Sequence, residues 1–255
     1  MKRWISIVAL AAALVAVLAA AAVADTFVGT DGGELLQGTP SPDQLYGEGG
    51  NDELLGFASH DYIEAGPGDD RVDGGGGGDL VIGGTGDDEI NSANGSDVVY
   101  AGAGEDVVLG GQGSDQLFGQ DGTDRLFGGA GSDTVYASLG ADFVDAGSGS
   151  DTVSADGDGI NILAGGGHDL VTAGGGSITV EGGGGNDRIR TDSGEDHVSG
   201  GPGRDSIATG AGNDRVEALD GSRDRVNCGR GRNDVVTADP FDILIRCEER
   251  ARPVP

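Results

Sequence analysis

Aspartate falls on a ruler of nine residues through most of this 255-residue chain. From Asp43 to Asp214 a strict step of nine picks out 20 positions; 18 are Asp and the other two are Ile160 and Ile178. Two places before each position stands Gly in 17 cases, with Ser41, Ser59 and Asp158 as the exceptions. Two places after stands an aliphatic residue in all 20, from Leu45 and Leu54 to Ile207 and Val216. Asp offers a hard, anionic oxygen, and Gly takes positive φ without steric cost, so consecutive backbone carbonyls can be aimed at one point. An oxygen-only donor set of this kind suits a hard cation and not a thiolate- or imidazole-loving metal.

The elements that position these oxygens must be short. Each unit leaves room for a tight Gly turn and about three residues of strand, whose aliphatic member shares a strand face with the Asp two places earlier and forms the core. Strands so brief depend on their neighbours, as repeats in a stacked array do. The register reaches back through Glu34 with Leu36 and Asp25 with Phe27, and stretches to a step of ten only at Asp224 and Asp234.

Units such as Gly110-Gly111-Gln112-Gly113-Ser114-Asp115-Gln116-Leu117-Phe118 and Gly128-Gly129-Ala130-Gly131-Ser132-Asp133-Thr134-Val135-Tyr136 resemble the G-G-x-G-x-D-x-U-x nonapeptide of the hemolysin-type calcium-binding (RTX) repeats. The resemblance implies an all-β fold, a parallel β-roll with two nonapeptides per coil and multiple Ca²⁺ ions held between successive turns along both edges. Sorted by edge, one column carries Asp43, Asp61, Asp79, Asp97, Asp115, Asp133, Asp151, Asp169, Asp187 and Asp205 without a gap. The other carries Asp52, Asp70, Asp88, Asp106, Asp124 and Asp142, then Ile160 and Ile178, then Asp196 and Asp214. These 18 carboxylates are the expected metal ligands. Ile160 and Ile178 are expected to point inward beside Ile162 and Val180, an apolar stack replacing ions over consecutive coils of one edge.

Composition sharpens the need for metal. The chain has 53 Gly, 44 acids against 15 bases and a net charge of −29, values that on their own describe disorder. Asp residues stacked at the strand spacing of about 4.8 Å repel by roughly 3 to 4 kcal/mol per neighbouring pair at an effective dielectric of 20, an upper-range figure. A single inward Val, Leu or Ile contributes roughly 1.5 to 3 kcal/mol. Folding and calcium binding are therefore expected to be one event.

Residues 1–24 read as a signal peptide: Lys2 and Arg3 precede an apolar run from Trp4 to Val23, and Ala22-Val23-Ala24 has the form of a signal-peptidase site. Cleavage would leave 44 acids against 13 bases, a charge of −31, and no later stretch is apolar enough to span a bilayer. A secreted protein is expected, released or retained at the cell surface. The resembled family ordinarily exports by an uncleaved carboxyl-terminal signal, so this leader departs from its pattern. Residues 25–217 form the expected β-roll and 218–255 divergent repeats in an Arg-rich cap. Residues 25–185 hold 30 acids and two bases, Arg71 and Arg125, while 186–255 hold 14 acids and 11 Arg. Nucleic acid is not an expected partner. The cap carries the only cysteines, Cys228 and Cys247, which an exported chain would join as a disulfide; a free thiol pair or metal site would lack nearby His or further Cys.

Neither H-E-x-x-H nor G-x-S-x-G occurs, and His60, His168 and His197 fall at outward positions, so no enzyme is expected. Asp pairs such as Asp69-Asp70 and Asp87-Asp88 each commit one member to the column. An ice-binding face would need a flat Thr or Asn array, whereas the outward positions run Gln116, Arg125, Thr134, Phe143, Thr152, Asn161 and Leu170. Ile82, Tyr100, Phe118 and Tyr136, spaced by 18, should form an outward ladder with Leu80 and Val98 beside it, and Leu109 and Phe127 take the matching places opposite. Such a stripe either stiffens the sheet or docks another copy or a surface partner. The reading is a calcium-binding repeat protein whose folding is coupled to Ca²⁺; the alternative is an adhesin or cell-surface matrix protein in which Ca²⁺ only switches the fold on.

Overall fold

A computed structural model describes residues 24–231 and 233–251. The leader expected at 1–24 lies outside the described residues except for Ala24.

Every regular element among the described residues is a strand, and all pairings are parallel. Each coil places one strand in each of two facing sheets, so strands of one sheet alternate in sequence with those of the other. The first sheet has 13 strands, from Thr26–Val28 to Ile243–Ile245; the second has 15, from Leu35–Gln37 to Glu249–Ala251, with the short Gly166–Gly167 and Gly184–Gly185 off the main path. Register is set by the repeat: Leu45 pairs with Ile63, Val99 with Leu117 and Val153 with Val171, each a step of 18. This is the parallel β-roll implied by the repeats.

In most strands the second residue points inward. Leu45, Ile63, Val81, Val99 and Leu117 from one sheet and Leu54, Ile90, Val108, Leu126 and Val144 from the other are 0 % exposed. The core is a double column of single aliphatic side chains, completed by Ala65, Ala101, Ala146 and Ala164 where strands enter turns. Turns demand Gly where the chain approaches the previous coil. Gly113 has φ 132°, and a Cβ there would sit 1.4 Å from the carbonyl oxygen of Gly95. At Ser59, where the repeat lacks its Gly, the chain still takes φ 84°.

The two sheets run past the last strict repeat. Arg225–Asn227, Val235–Ala238, Ile243–Ile245 and Glu249–Ala251 continue both ladders, with the step changing to 19 at Ile207 and Val226, to 20 at Val216 and Val236 and to 14 at Val236 and Arg250. Cys228 and Cys247 are joined in a disulfide. It ties the turn after Arg225–Asn227 to the final coil.

On the outer face of the first sheet the aromatic ladder forms. Tyr100 and Phe118 stack with centroids 4.6 Å apart and planes at 12°, Phe118 and Tyr136 at 4.8 Å and 7°. Opposite, Phe127 meets Phe143 tilted, at 5.7 Å. Among the described residues no helix is long and apolar enough to cross a membrane.

Candidate metal-binding edges

The carboxylates of each edge stack because each Asp stands immediately before a strand that pairs 18 residues on. Its backbone N–H donates to Oδ1 of the Asp one coil later: Asp43 to Asp61 at 2.8 Å, Asp61 to Asp79 at 2.8 Å and Asp79 to Asp97 at 2.8 Å on the first edge, and Asp52 to Asp70 at 2.7 Å and Asp70 to Asp88 at 2.9 Å on the second. The preceding residue runs its own ladder in the opposite sense: the N–H groups of Ser114, Ser132 and Ser150 donate to the hydroxyls of Ser96, Ser114 and Ser132. The turns at Ser114, Ser132 and Ser150 are therefore latched to both neighbouring coils.

The second oxygen of each carboxylate has no such partner. Oδ2 of 19 Asp residues is buried without a hydrogen bond, including 17 of the 18 Asp expected as ligands. The eighteenth, Asp43, accepts a short hydrogen bond at Oδ2 from the Thr39 N–H in the first complete turn. An orphaned buried anionic oxygen costs several kcal/mol unless a cation or proton meets it. Burial accordingly pushes these carboxyls up: Asp79, Asp88 and Asp205 to about 7, and Asp61, Asp115, Asp124 and Asp151 to about 6, with neighbouring Asp charges adding to the rise and the backbone N–H bonds opposing it.

Other oxygens face the same place. At Gly110 an added Cβ would stand 2.8 Å from Oδ2 of Asp115 and 2.6 Å from the carbonyl oxygen of Gly128 in the next coil. The donor set is thus carboxylate plus backbone carbonyl, the hard oxygens that suit Ca²⁺. Among the described residues no three His, Cys, Asp or Glu side chains gather into a ready-made metal cluster, so any site here must draw on carbonyls. The three histidines are exposed. His60 and His168 accept at Nδ1 from the N–H of Gly78 and Asn186, and His197 lies 3.5 Å from Glu217.

Ile160 and Ile178 are 1 % exposed and belong to the core with Ile162 and Val180. With no carboxyl at either position, the Asp-to-Asp bonds of the second edge stop at Asp142 and resume where the Ile178 N–H donates to Asp196 Oδ1 at 3.1 Å. The strict step of nine does not include Asp224 and Asp234, whose step is ten. The structure puts them in the columns: the N–H groups of Asp205 and Asp214 reach their Oδ1 atoms at 2.8 and 3.0 Å, and both Oδ2 atoms are buried and unpartnered. The signal was the Asp itself, kept through the insertion.

The family model of the RTX calcium-binding nonapeptide repeat matches residues 28–58, 55–90, 82–117, 118–153 and 181–216. Its matches skip 154–180, the stretch that holds both Ile positions. No curated protein matches the chain.

Proposed function

The chain belongs to the RTX calcium-binding nonapeptide-repeat family, and from that premise we propose that it is an exported protein whose folding is coupled to cooperative binding of several Ca²⁺ ions. The observation that carries this reading is the pair of columns of buried, unpartnered Oδ2 atoms. Without cations the two columns repel themselves; with them the same oxygens become ligands, and closing one turn prepares the next. The proposed ligands are the Asp of the two columns from Asp43 to Asp214, joined by Asp224 and Asp234, together with turn carbonyls. Steps from Asp142 through Ile160 and Ile178 to Asp196 would hold no normally coordinated ion.

Export rests on the leader pattern of Lys2, Arg3, the run to Val23 and Ala22-Val23-Ala24. The role is binding and not catalysis. A second reading, a surface or matrix component that self-associates, is favoured by the outward Tyr100, Phe118 and Tyr136 stack, whose last member is 39 % exposed. Circular dichroism of residues 25–255 tests the main reading: Ca²⁺ should produce β structure with a sigmoidal dependence, near the 10⁻⁴ to 10⁻³ M range typical of extracellular modules. A full β signal in excess chelator would reject it.

A further inference from the structure

The outer face of the first sheet is poor in acid for a chain that carries 44 acidic residues. The first and third residues of its 13 strands make 26 outward positions, and Glu64 is the only acid among them. The same positions of the second sheet carry Glu53, Asp73, Glu89, Asp145, Glu181 and Glu217. Water alone gives no reason for so uneven a division, since charged residues are at home on any solvated surface.

In place of acid the first face is apolar and then basic. Leu80, Ile82 and Val98 lie beside the stack of Tyr100, Phe118 and Tyr136, and Leu170 follows at 40 % exposed. The next strands bring Arg188, Arg190 and Arg225, all exposed. Among the described residues none of these three is in an ion pair, whereas on the other sheet Arg71 pairs with Glu89 and Arg215 with Glu217. Within the stack each ring covers the face of the next, at 4.6 and 4.8 Å, so the row offers mainly ring edges, not the open ring faces on which a sugar would stack. Tyr, apolar along its ring and polar at its tip, suits the boundary between headgroups and acyl chains.

Resting on calcium-coupled folding to form this face, we propose that the outer face of the first sheet docks the protein on an anionic lipid surface. The aliphatic and aromatic rows enter the headgroup boundary, and Arg188, Arg190 and Arg225 pair with lipid phosphates. A face of 13 strands, about 60 Å long at the strand spacing, can touch such a surface along its whole length. A second copy fits less well. It would bring the same acid-poor face, so the Arg groups of both copies would lose water with only Glu64 of each to meet them.

Flotation of residues 25–255 with lipid vesicles in millimolar Ca²⁺ and physiological salt tests this. The chain should float with phosphatidylcholine vesicles that contain about one third phosphatidylglycerol, and not with phosphatidylcholine alone. Arg188→Gln with Arg190→Gln and Arg225→Gln should weaken binding about a hundredfold, each basic residue near an anionic surface contributing about fivefold. Arg71→Gln with Arg125→Gln and Arg215→Gln removes the same charge from the other sheet and should leave binding unchanged, because salt screens charges more than about 8 Å away. Equal losses in the two triple variants, equal binding to both kinds of vesicle, or no flotation by protein with Ca²⁺-induced β structure overturns the proposal while calcium-coupled folding stands. A dimer in sedimentation equilibrium that Leu170→Gln dissolves would put a second copy on the face and overturn it as well. Full β structure in excess chelator, with flotation as expected, overturns calcium-coupled folding and leaves the docking face.

Discussion

The apolar gap in the second edge offers the sharpest perturbation. Ile160→Asp removes a side chain that is 1 % exposed, a loss of roughly 1.5 to 3 kcal/mol of burial. It also sets a carboxylate one strand spacing from Asp142, for up to roughly 3 to 4 kcal/mol of repulsion at an effective dielectric of 20. Against this, the Asp142 N–H gains the Oδ1 acceptor that its edge-mates have, worth about 1.5 to 3 kcal/mol as a bond to a charged group. The single substitution should therefore destabilise by about 2 to 4 kcal/mol, and Ile178→Asp similarly. The double variant restores an unbroken column from Asp142 to Asp196, so that an ion can be shared between the new carboxylates. In saturating Ca²⁺ it should be more stable than the sum of the singles by at least about 1 kcal/mol, within the range of coupling between contacting residues. In chelator the coupling should change sign, because two adjacent carboxylates then repel. Urea unfolding of the four proteins, with and without Ca²⁺, gives both cycles. Additive singles in saturating Ca²⁺ would refute the placing of Ile160 and Ile178 in a column of metal ligands.

Three further outcomes are expected. Reducing Cys228–Cys247, which closes a loop of sequence separation 19, should remove about 3 kcal/mol in the loop-entropy model and raise the Ca²⁺ midpoint, with the last coils losing exchange protection first; two free thiols in protein purified without reductant would contradict it. Gly113→Ala forces a Cβ toward the Gly95 carbonyl at φ 132° and should cost at least about 1 to 3 kcal/mol of stability in Ca²⁺, whereas unchanged thermal melting would show that the turn has another geometry. In calcium-stripped protein the column carboxyls, raised by burial to about 6 to 7 in Asp61, Asp79, Asp88 and Asp205, bind more protons folded than unfolded, where their values lie near 3.9. Their contribution is complete below about pH 4 and lost as pH rises through about 6 to 7, so dichroism of the stripped chain should show β structure growing on acidification; β structure growing with rising pH would reverse the sign.

Much of this molecule is legible in the sequence because every structural step is a sequence step. Leu45, Ile63 and Val81 stack in the core for the same reason that Asp43, Asp61 and Asp79 stack at the edge: one coil is 18 residues, and parallel pairing carries each residue onto its equivalent. The gap at Ile160 and Ile178 could be read in the same way. What could not be read depends on coordinates finer than the repeat. The opposed hydrogen-bond ladders through Asp61 and Ser96 are set by which oxygen faces which coil. Asp224 and Asp234 were hidden by inserted residues that the turns absorb without breaking either column. Ser92, Thr191 and Thr209 look in sequence like decay of a Gly position, and only the structure shows their hydroxyls buried and donating to the carbonyl oxygens of Gly110, Thr209 and Cys228 one coil on.

Small-angle X-ray scattering of residues 25–255 in chelator and in millimolar Ca²⁺ tests the coupling of metal to fold most directly. A rod of 13 strands per path at about 4.8 Å each is about 60 Å long, with a radius of gyration of about 20 Å; the same chain unfolded has one of about 50 Å. The radius should fall between these values over a narrow range of Ca²⁺ concentration, and millimolar Mg²⁺ should leave it near 50 Å, since Mg²⁺ dehydrates reluctantly and demands octahedral geometry. A radius near 20 Å in excess chelator at neutral pH would contradict the account.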